Sequence, residues 1–298
     1  MALRQVGAAQ MRTALRLART HRQQTQPAGC AAVHNAFAPT FSANSSSSTR
    51  ISGSAGRRAA STSSGSEVTS SGKRPLSSNA SANPEVVSAS VSDITSKFGD
   101  PSFWEGEYSA QYDSQEELQP FEWFLPYDGG LRQHLLPFLE SMTSCSRLLH
   151  VGCGTSEVGP KLATEPDLEL HVTDADSSPS AVRIMKRRHA SLNNYTCHQT
   201  DVLNLPFPEE SFDAVVDKGT LDALLCRNVE DAQQMATEMH RVLTKGGVFV
   251  QITTEDPEAR LELLTKPLIE QHEPWSRSLF KEIGEGANAT YFMYVLVK

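Results

Sequence analysis

The residues with the clearest chemical potential in this 298-residue chain are glycines and acids set just after short apolar runs. Leu148-Leu149-His150 leads into Val151-Gly152-Cys153-Gly154-Thr155-Ser156. Two glycines one residue apart let the backbone turn sharply and approach a ligand with no Cβ in the way. A dinucleotide loop requires a third glycine three positions on, where a helix N-terminus meets a pyrophosphate. That position is Glu157, and its charge would repel phosphate. The loop therefore predicts a nucleoside ligand without phosphates, S-adenosylmethionine first among them, with Cys153 among the cofactor-binding residues; the alternative for Cys153 is a small side chain that merely packs.

Three further acids follow three further apolar runs. Asp174-Ala175-Asp176-Ser177-Ser178-Pro179 places a carboxylate about 20 residues beyond the glycines, where it could accept hydrogen bonds from ribose hydroxyls. Asp176, directly before the Ser-Ser-Pro helix start, is preferred over Asp174; the alternative is an acid that merely favours the dipole of a helix capped by Ser177 or Ser178. Asp201 and the amide of Val202 could read an adenine edge, with an ordinary turn aspartate as the alternative. Asp217, in Val215-Val216-Asp217-Lys218-Gly219-Thr220, would cost several kcal/mol to bury without a partner. It is predicted to meet a cofactor or a substrate cation; the alternatives are a cap for a helix starting near Thr220 or a salt bridge to Lys218.

The elements that must position these residues alternate in type. Leu131, Leu135, Phe138, Leu139 and Met142 recur at helical spacing before the strand Leu148 to Val151. Strands are predicted at Leu168 to Thr173, Tyr195 to Thr200, Ala214 to Val216 and Val248 to Ile252. Helices are predicted at Ser180 to His189 and around Met235, Met239, Val242 and Leu243, the latter stopped by Gly246-Gly247. Alternation of this kind predicts an α/β fold, a mostly parallel Rossmann-like sheet with helices on both faces. At the end, Ser276 to Ile283 and Tyr291 to Val297 leave no room for a crossover helix, so an antiparallel hairpin should finish the sheet. In such a sheet ligands bind beyond the carboxyl ends of the strands, where the glycines and acids fall.

Charge divides the chain. The formal net charge is −8, yet residues 1–66 hold eight arginines and no Asp, Glu or Lys, leaving −16 on the remainder. An Arg-rich, Ser-rich, acid-free head with Arg12, Arg16 and Arg19 on one helical face and Leu3, Ala14 and Leu17 on the other has the composition of an organellar transit peptide, the mitochondrial matrix being the expected destination; the alternative is a disordered tail with no address. The expected organisation is a transit peptide over residues 1–40, a disordered Ser-rich linker over 41–95, and one folded domain over 96–298 of a matrix protein. Cleavage is expected within the Ser-rich stretch, with Arg57-Arg58 one candidate neighbourhood. The five cysteines lack C-x-x-C spacing, which argues for a reducing compartment and against a structural zinc. No metal site is expected. An acidic folded part disfavours nucleic acid, no apolar run reaches the length of a membrane span, and Lys186-Arg187-Arg188 should lie on a solvated helix face.

Together these motifs resemble the seven-stranded S-adenosylmethionine-dependent methyltransferases. Phe103-Trp104-Glu105, Phe121-Glu122-Trp123-Phe124, Asp217-Lys218-Gly219-Thr220-Leu221-Asp222, Glu255-Asp256-Pro257-Glu258-Ala259-Arg260 and Thr290-Tyr291-Phe292 are similar to the lysine methyltransferases that act on elongation factor 1-alpha and on citrate synthase. The resemblance, over about Phe98 to Lys298, implies methyl transfer to a lysine of a mitochondrial protein partner, citrate synthase first among candidates. It makes Gly152 and Gly154 the methionine-side loop, Asp176 the ribose acid and Asp201 the adenine reader, with Asp217 where the methyl group meets the acceptor. Trp104, Tyr108 and Trp123 would close over the sulfonium and the lysine stem. His150 stands where many such enzymes carry Asp or Glu. A small-molecule methyltransferase and a non-catalytic cofactor-binding assembly factor are the alternatives from other classes.

Overall fold

The structure is a computed structural model, and it describes residues 97–113, 120–142, 146–271, 273–286 and 289–298. The expected transit peptide and Ser-rich linker lie outside the described residues. After a 3₁₀ turn at Lys97–Gly99 come helix α1 (Pro101–Asp113), a π-helical turn (Tyr127–Leu131) and α2 (Arg132–Glu140). There follow β1 (Arg147–Val151), α3 (Val158–Ala163), β2 (His171–Asp176), α4 (Pro179–Arg188), β3 (Tyr195–Gln199) and β4 (Phe212–Lys218). The chain continues with α5 (Thr220–Leu225), α6 (Val229–Val242), β5 (Leu243–Thr253), α7 (Pro257–Glu270), β6 (Arg277–Gly286) and β7 (Ala289–Val297).

The seven strands form one sheet in the order β3-β2-β1-β4-β5-β7-β6. Strands β1 to β5 pair in parallel, whereas β7 runs antiparallel to both of its neighbours, β5 and β6. The two last strands pair antiparallel as the sequence predicts, but β7 inserts between β6 and the rest, so β6 points the same way as β1 to β5.

Side chains alternate across the strands, which gives two apolar layers. Leu148, Val172, Val216 and Val250 pack on one face with Leu135 and Leu139 of α2, Leu162 of α3 and Met185 of α4. Leu149, Val215 and Phe249 pack on the other with Met235 and Met239 of α6 and Leu264 of α7. Strand β2 begins three residues later than its apolar run suggests, because Leu170 is buried ahead of the strand while polar Asp174 and Asp176 lie within it. Helix α7, with Pro267 in its interior and a fully buried Arg260, has no clean apolar stripe, and sequence periodicity does not announce it.

The chain winds outward from β1 to β3 and then returns to β4, which pairs with β1. This reversal opens a crevice at the carboxyl ends of β1 and β4, the usual ligand position in a sheet of this kind.

Candidate functional site: a crevice at the strand ends

A cavity of about 290 Å³ lies over these strand ends, near the lower limit of volumes typical for small-molecule sites. Gly152 and Cys153 after β1, Asp176 at the end of β2, Asp201 and Val202 after β3, Lys218 at the end of β4 and Thr220 after it line it. Trp104 and Tyr108 of α1 close it from above, with Phe121 and Trp123 beside them.

The turn after β1 is held by backbone geometry. Gly152 and Gly154 have φ of 55° and 51°, in the left-handed region that favours glycine. A Cβ on Gly152 would stand 1.9 Å from Thr220 Oγ1, and one on Gly154 would stand 2.3 Å from the Tyr108 hydroxyl. Gly154 is not itself in the cavity wall; its N–H donates to Asp176 Oδ2 at 2.8 Å. The second Asp176 oxygen accepts from the Ser178 N–H at 2.8 Å. One carboxylate thus joins the β1 loop to the start of α4. Burial raises its pKa, against the lowering effect of these two N–H groups, and its remaining lone pairs are left for a diol. Ser178 is the actual helix cap, its Oγ accepting from the Ala181 N–H at 3.1 Å.

Asp201 Oδ1 accepts from the Leu203 N–H at 2.9 Å, which fixes the turn and keeps Asp201 and Val202 at the cavity edge. His150 also lines the cavity. Its Nδ1 lies 3.1 Å from Asp174 Oδ1, the residue paired with it in the β1–β2 register, and the Tyr195 hydroxyl donates to Asp174 Oδ2 at 2.6 Å. Cys153 is buried against Cys197, and the contact and burial both push its thiol pKa up, away from the reactive thiolate form.

Asp217 lies elsewhere. The wall at the end of β4 is made by Lys218, Gly219 and Thr220, while the fully buried Asp217 carboxylate accepts from the Thr220 N–H at 2.9 Å and the Leu221 N–H at 3.4 Å. It binds the first turn of α5, the helix-capping alternative, rather than facing the cavity. Burial, and then the Asp222 charge, push its pKa up to about 6. Lys218 pairs with Glu122 at 2.6 Å rather than with Asp217.

Several residues that brace the site have roles that local spacing does not reveal, although Glu105 stands in the Phe103-Trp104-Glu105 motif. Glu105 of α1 accepts from Ser178 Oγ at 2.5 Å, Ser180 Oγ at 2.7 Å and the Ser180 N–H at 3.1 Å. Tyr112 of α1 lies under the guanidinium groups of Arg183 and Arg187, at 5.1 and 4.7 Å. The basic run therefore holds α1 down, and Arg188 pairs with Glu157 at 3.1 Å; it is not a purely solvated face. Glu157 has structural partners in Arg188 and His189 and does not line the cavity.

The tight turn, the buried acid at the second strand end and the aromatic lid fit a nucleoside joined to an amino-acid tail. A family model described as a methyltransferase domain matches residues 149–251. The citrate synthase-lysine N-methyltransferase of Danio rerio, mitochondrial, is 31% identical over 68% of this chain and 85% of its own length. The EEF1A lysine methyltransferase 4 of Bos taurus is 32% identical over 63% of this chain and 74% of its own. The demethylmenaquinone methyltransferase of Staphylococcus epidermidis is 32% identical over 55% of this chain and 61% of its own. With the seven-stranded sheet, the strand-end crevice and these relatives together, the chain belongs to the S-adenosylmethionine-dependent methyltransferases, and S-adenosylmethionine is its cofactor.

Proposed function

We propose that the protein transfers the methyl group of S-adenosylmethionine to a lysine amine of a mitochondrial matrix protein, with citrate synthase as the first candidate. The observation that carries this reading is the aromatic wall, Trp104, Tyr108, Phe121 and Trp123, standing directly beside the cofactor crevice. Aromatic faces attract cations and pack on an aliphatic stem, which suits both a sulfonium and a lysine side chain. Two relatives of this chain are named for lysine methylation, and the acidic folded part would draw a lysine-bearing surface toward it.

Bound cofactor supplies an activated methyl that leaves with its bond electrons returning to sulfur. Asp176 holds the ribose end, and the Gly152–Gly154 turn lets the backbone approach the amino-acid end. The acceptor must attack as a neutral amine, although free lysine has a pKa of about 10.4. Exclusion of water by the rings around the crevice disfavours the ammonium form, against the pull of their faces on a cation, and packing of the rings on the lysine stem positions the amine for attack. Asp217 acts at one remove: by tying the Thr220 N–H it sets the wall against which the reacting groups lie, a positioning residue.

Incubating the protein with radiolabelled S-adenosylmethionine and a matrix extract tests the reading. One labelled band at the mass of citrate synthase, lost when its acceptor lysine is replaced, is expected. Label confined to small molecules would overturn the protein substrate. Mass spectrometry of the mature protein tests the location, since a chain still beginning at Met1 or Ala2 would be inconsistent with import.

A further inference from the structure

Residues 121–125 cross both the glycine loop and the end of β4, and their polar ties converge on one carboxylate. Glu122 accepts from Ser156 Oγ at 2.8 Å and from the Glu157 N–H at 2.7 Å, both in the loop after β1. It also accepts from Lys218 Nζ at 2.6 Å, from β4. Lys218 Nζ donates in turn to the Trp123 carbonyl at 2.8 Å, and the Phe121 N–H donates to Thr155 Oγ1 at 3.2 Å. The Lys218 side chain is only 2% exposed. Phe121 and Trp123 line the cavity, while Glu122 between them is spent on the loop and the strand.

Two physical arguments set this pair apart from an ordinary structural contact. Burying a lysine and a glutamate costs desolvation that well-packed apolar residues of the same volume would avoid, so stability alone is a poor reason for it. What a charged pair adds is direction, because each donor and acceptor fixes a position. The neighbouring Phe124 has φ of 57°, a left-handed conformation that costs a non-glycine residue about 1–3 kcal/mol and persists only where the surroundings over-determine it. Its ring packs on Gly219, next to Lys218, where a Cβ would stand 3.3 Å away.

We propose that Glu122 and Lys218 are positioning residues that couple the cofactor loop to the aromatic wall of the acceptor side, so that ordering the loop around the cofactor sets the backbone of Phe121 and Trp123. The proposal rests on the methyl-transfer reading of the site. The coupling runs in both directions: whatever fixes Trp123 also tightens the loop.

Hydrogen exchange on the full chain, read with and without S-adenosylhomocysteine, tests this without knowledge of the acceptor. In the wild type the ligand should slow exchange both in residues 152–157 and in residues 121–125. The double variant Glu122→Gln/Lys218→Met leaves no buried charge unpaired. It should keep the ligand-dependent protection of residues 152–157 and lose that of residues 121–125, whereas Lys218→Arg, which keeps the charge and the donors, should retain both. Should the double variant not fold, Ser156→Ala, which cuts one tie between the loop and Glu122 without unpairing a charge, is read in the same way. Wild-type protection of residues 121–125 in the variant would overturn the coupling, as would wild-type exchange there that ignores the ligand. Calorimetry separates the underlying reading: a wild-type chain that binds no S-adenosylhomocysteine overturns the cofactor site and the coupling with it.

Discussion

Ser180 Oγ donates to Glu105 Oε1 at 2.7 Å, and through this bond the first turn of α4 holds helix α1 across the cofactor crevice. The same carboxylate takes two further donors from that turn. Each hydrogen bond to a charged acceptor contributes about 1.5–3 kcal/mol where water is kept out and less where it is not.

Glu105→Ala is therefore expected to weaken cofactor binding about tenfold, mainly through faster release because α1 lifts more often. Stopped-flow dissociation of S-adenosylhomocysteine measures this. An unchanged off-rate would show that α1 is held by its aromatic contacts and Tyr112 alone.

Gly152→Ala places a methyl group 1.9 Å from Thr220 Oγ1 on a backbone with φ of 55°. Thr220 is itself held by its donation to the Val151 carbonyl at 3.1 Å, so it has little room to yield. Stability should fall by about 1–3 kcal/mol, and calorimetry should detect no cofactor binding at concentrations that saturate the wild type.

Asp217 links stability to pH. Its folded pKa, about 6, lies above the ordinary 3.8 because the residue is buried and faces Asp222 of α5, with Arg260 of α7 only partly offsetting them. The folded state therefore holds this proton more tightly than the unfolded chain. That contribution is fully present below about 3.8 and is lost as pH rises through about 6, a difference of about 3 kcal/mol. Asp217→Asn should remove this component, so wild type loses more stability than the variant between pH 4 and about pH 8 in chemical denaturation. As a positioning residue, its replacement should also lower kcat while leaving the cofactor Kd near the wild-type value.

Arg260 is fully buried, with Nη2 donating to Asp222 Oδ1 and to Thr253 Oγ1. Arg260→Met leaves the Asp222 charge buried and unpaired, which should cost about 3–5 kcal/mol. The double variant Asp222→Leu/Arg260→Met should recover much of that loss. Urea denaturation of the three chains decides it, and equal losses in the single and double variants would refute the pairing argument.

Much of the fold was open to a reading of the sequence because its strands are apolar runs and its helices keep an apolar stripe. Leu148-Leu149 and Val248 to Ile252 alternate between two covered faces, and Met235 and Met239 recur at one helical turn. The insertion of β7 between β5 and β6 was not legible, because a short connection fixes the pairing of two strands but not which of them meets the older sheet. The glycine loop, Asp176 and Asp201 could be placed at strand ends from their spacing alone. Asp217 illustrates the limit: its position along β4 was readable, but the side to which its carboxylate turns depends on α5 and α7 packing behind it. Glu105 and Glu122 act across 73 and 34 residues respectively, a separation at which local patterns carry no signal.

Among the described residues, strand β6 reaches the sheet only through β7. Any fluctuation that frees β7 from β5 therefore carries β6 away as well, and the two strands should open and close as one cooperative unit with a single free energy. The crevice over β1 and β4 stands on the opposite side of β5 from that unit, so the pairing of the strands that bear the cofactor site does not run through β6 or β7.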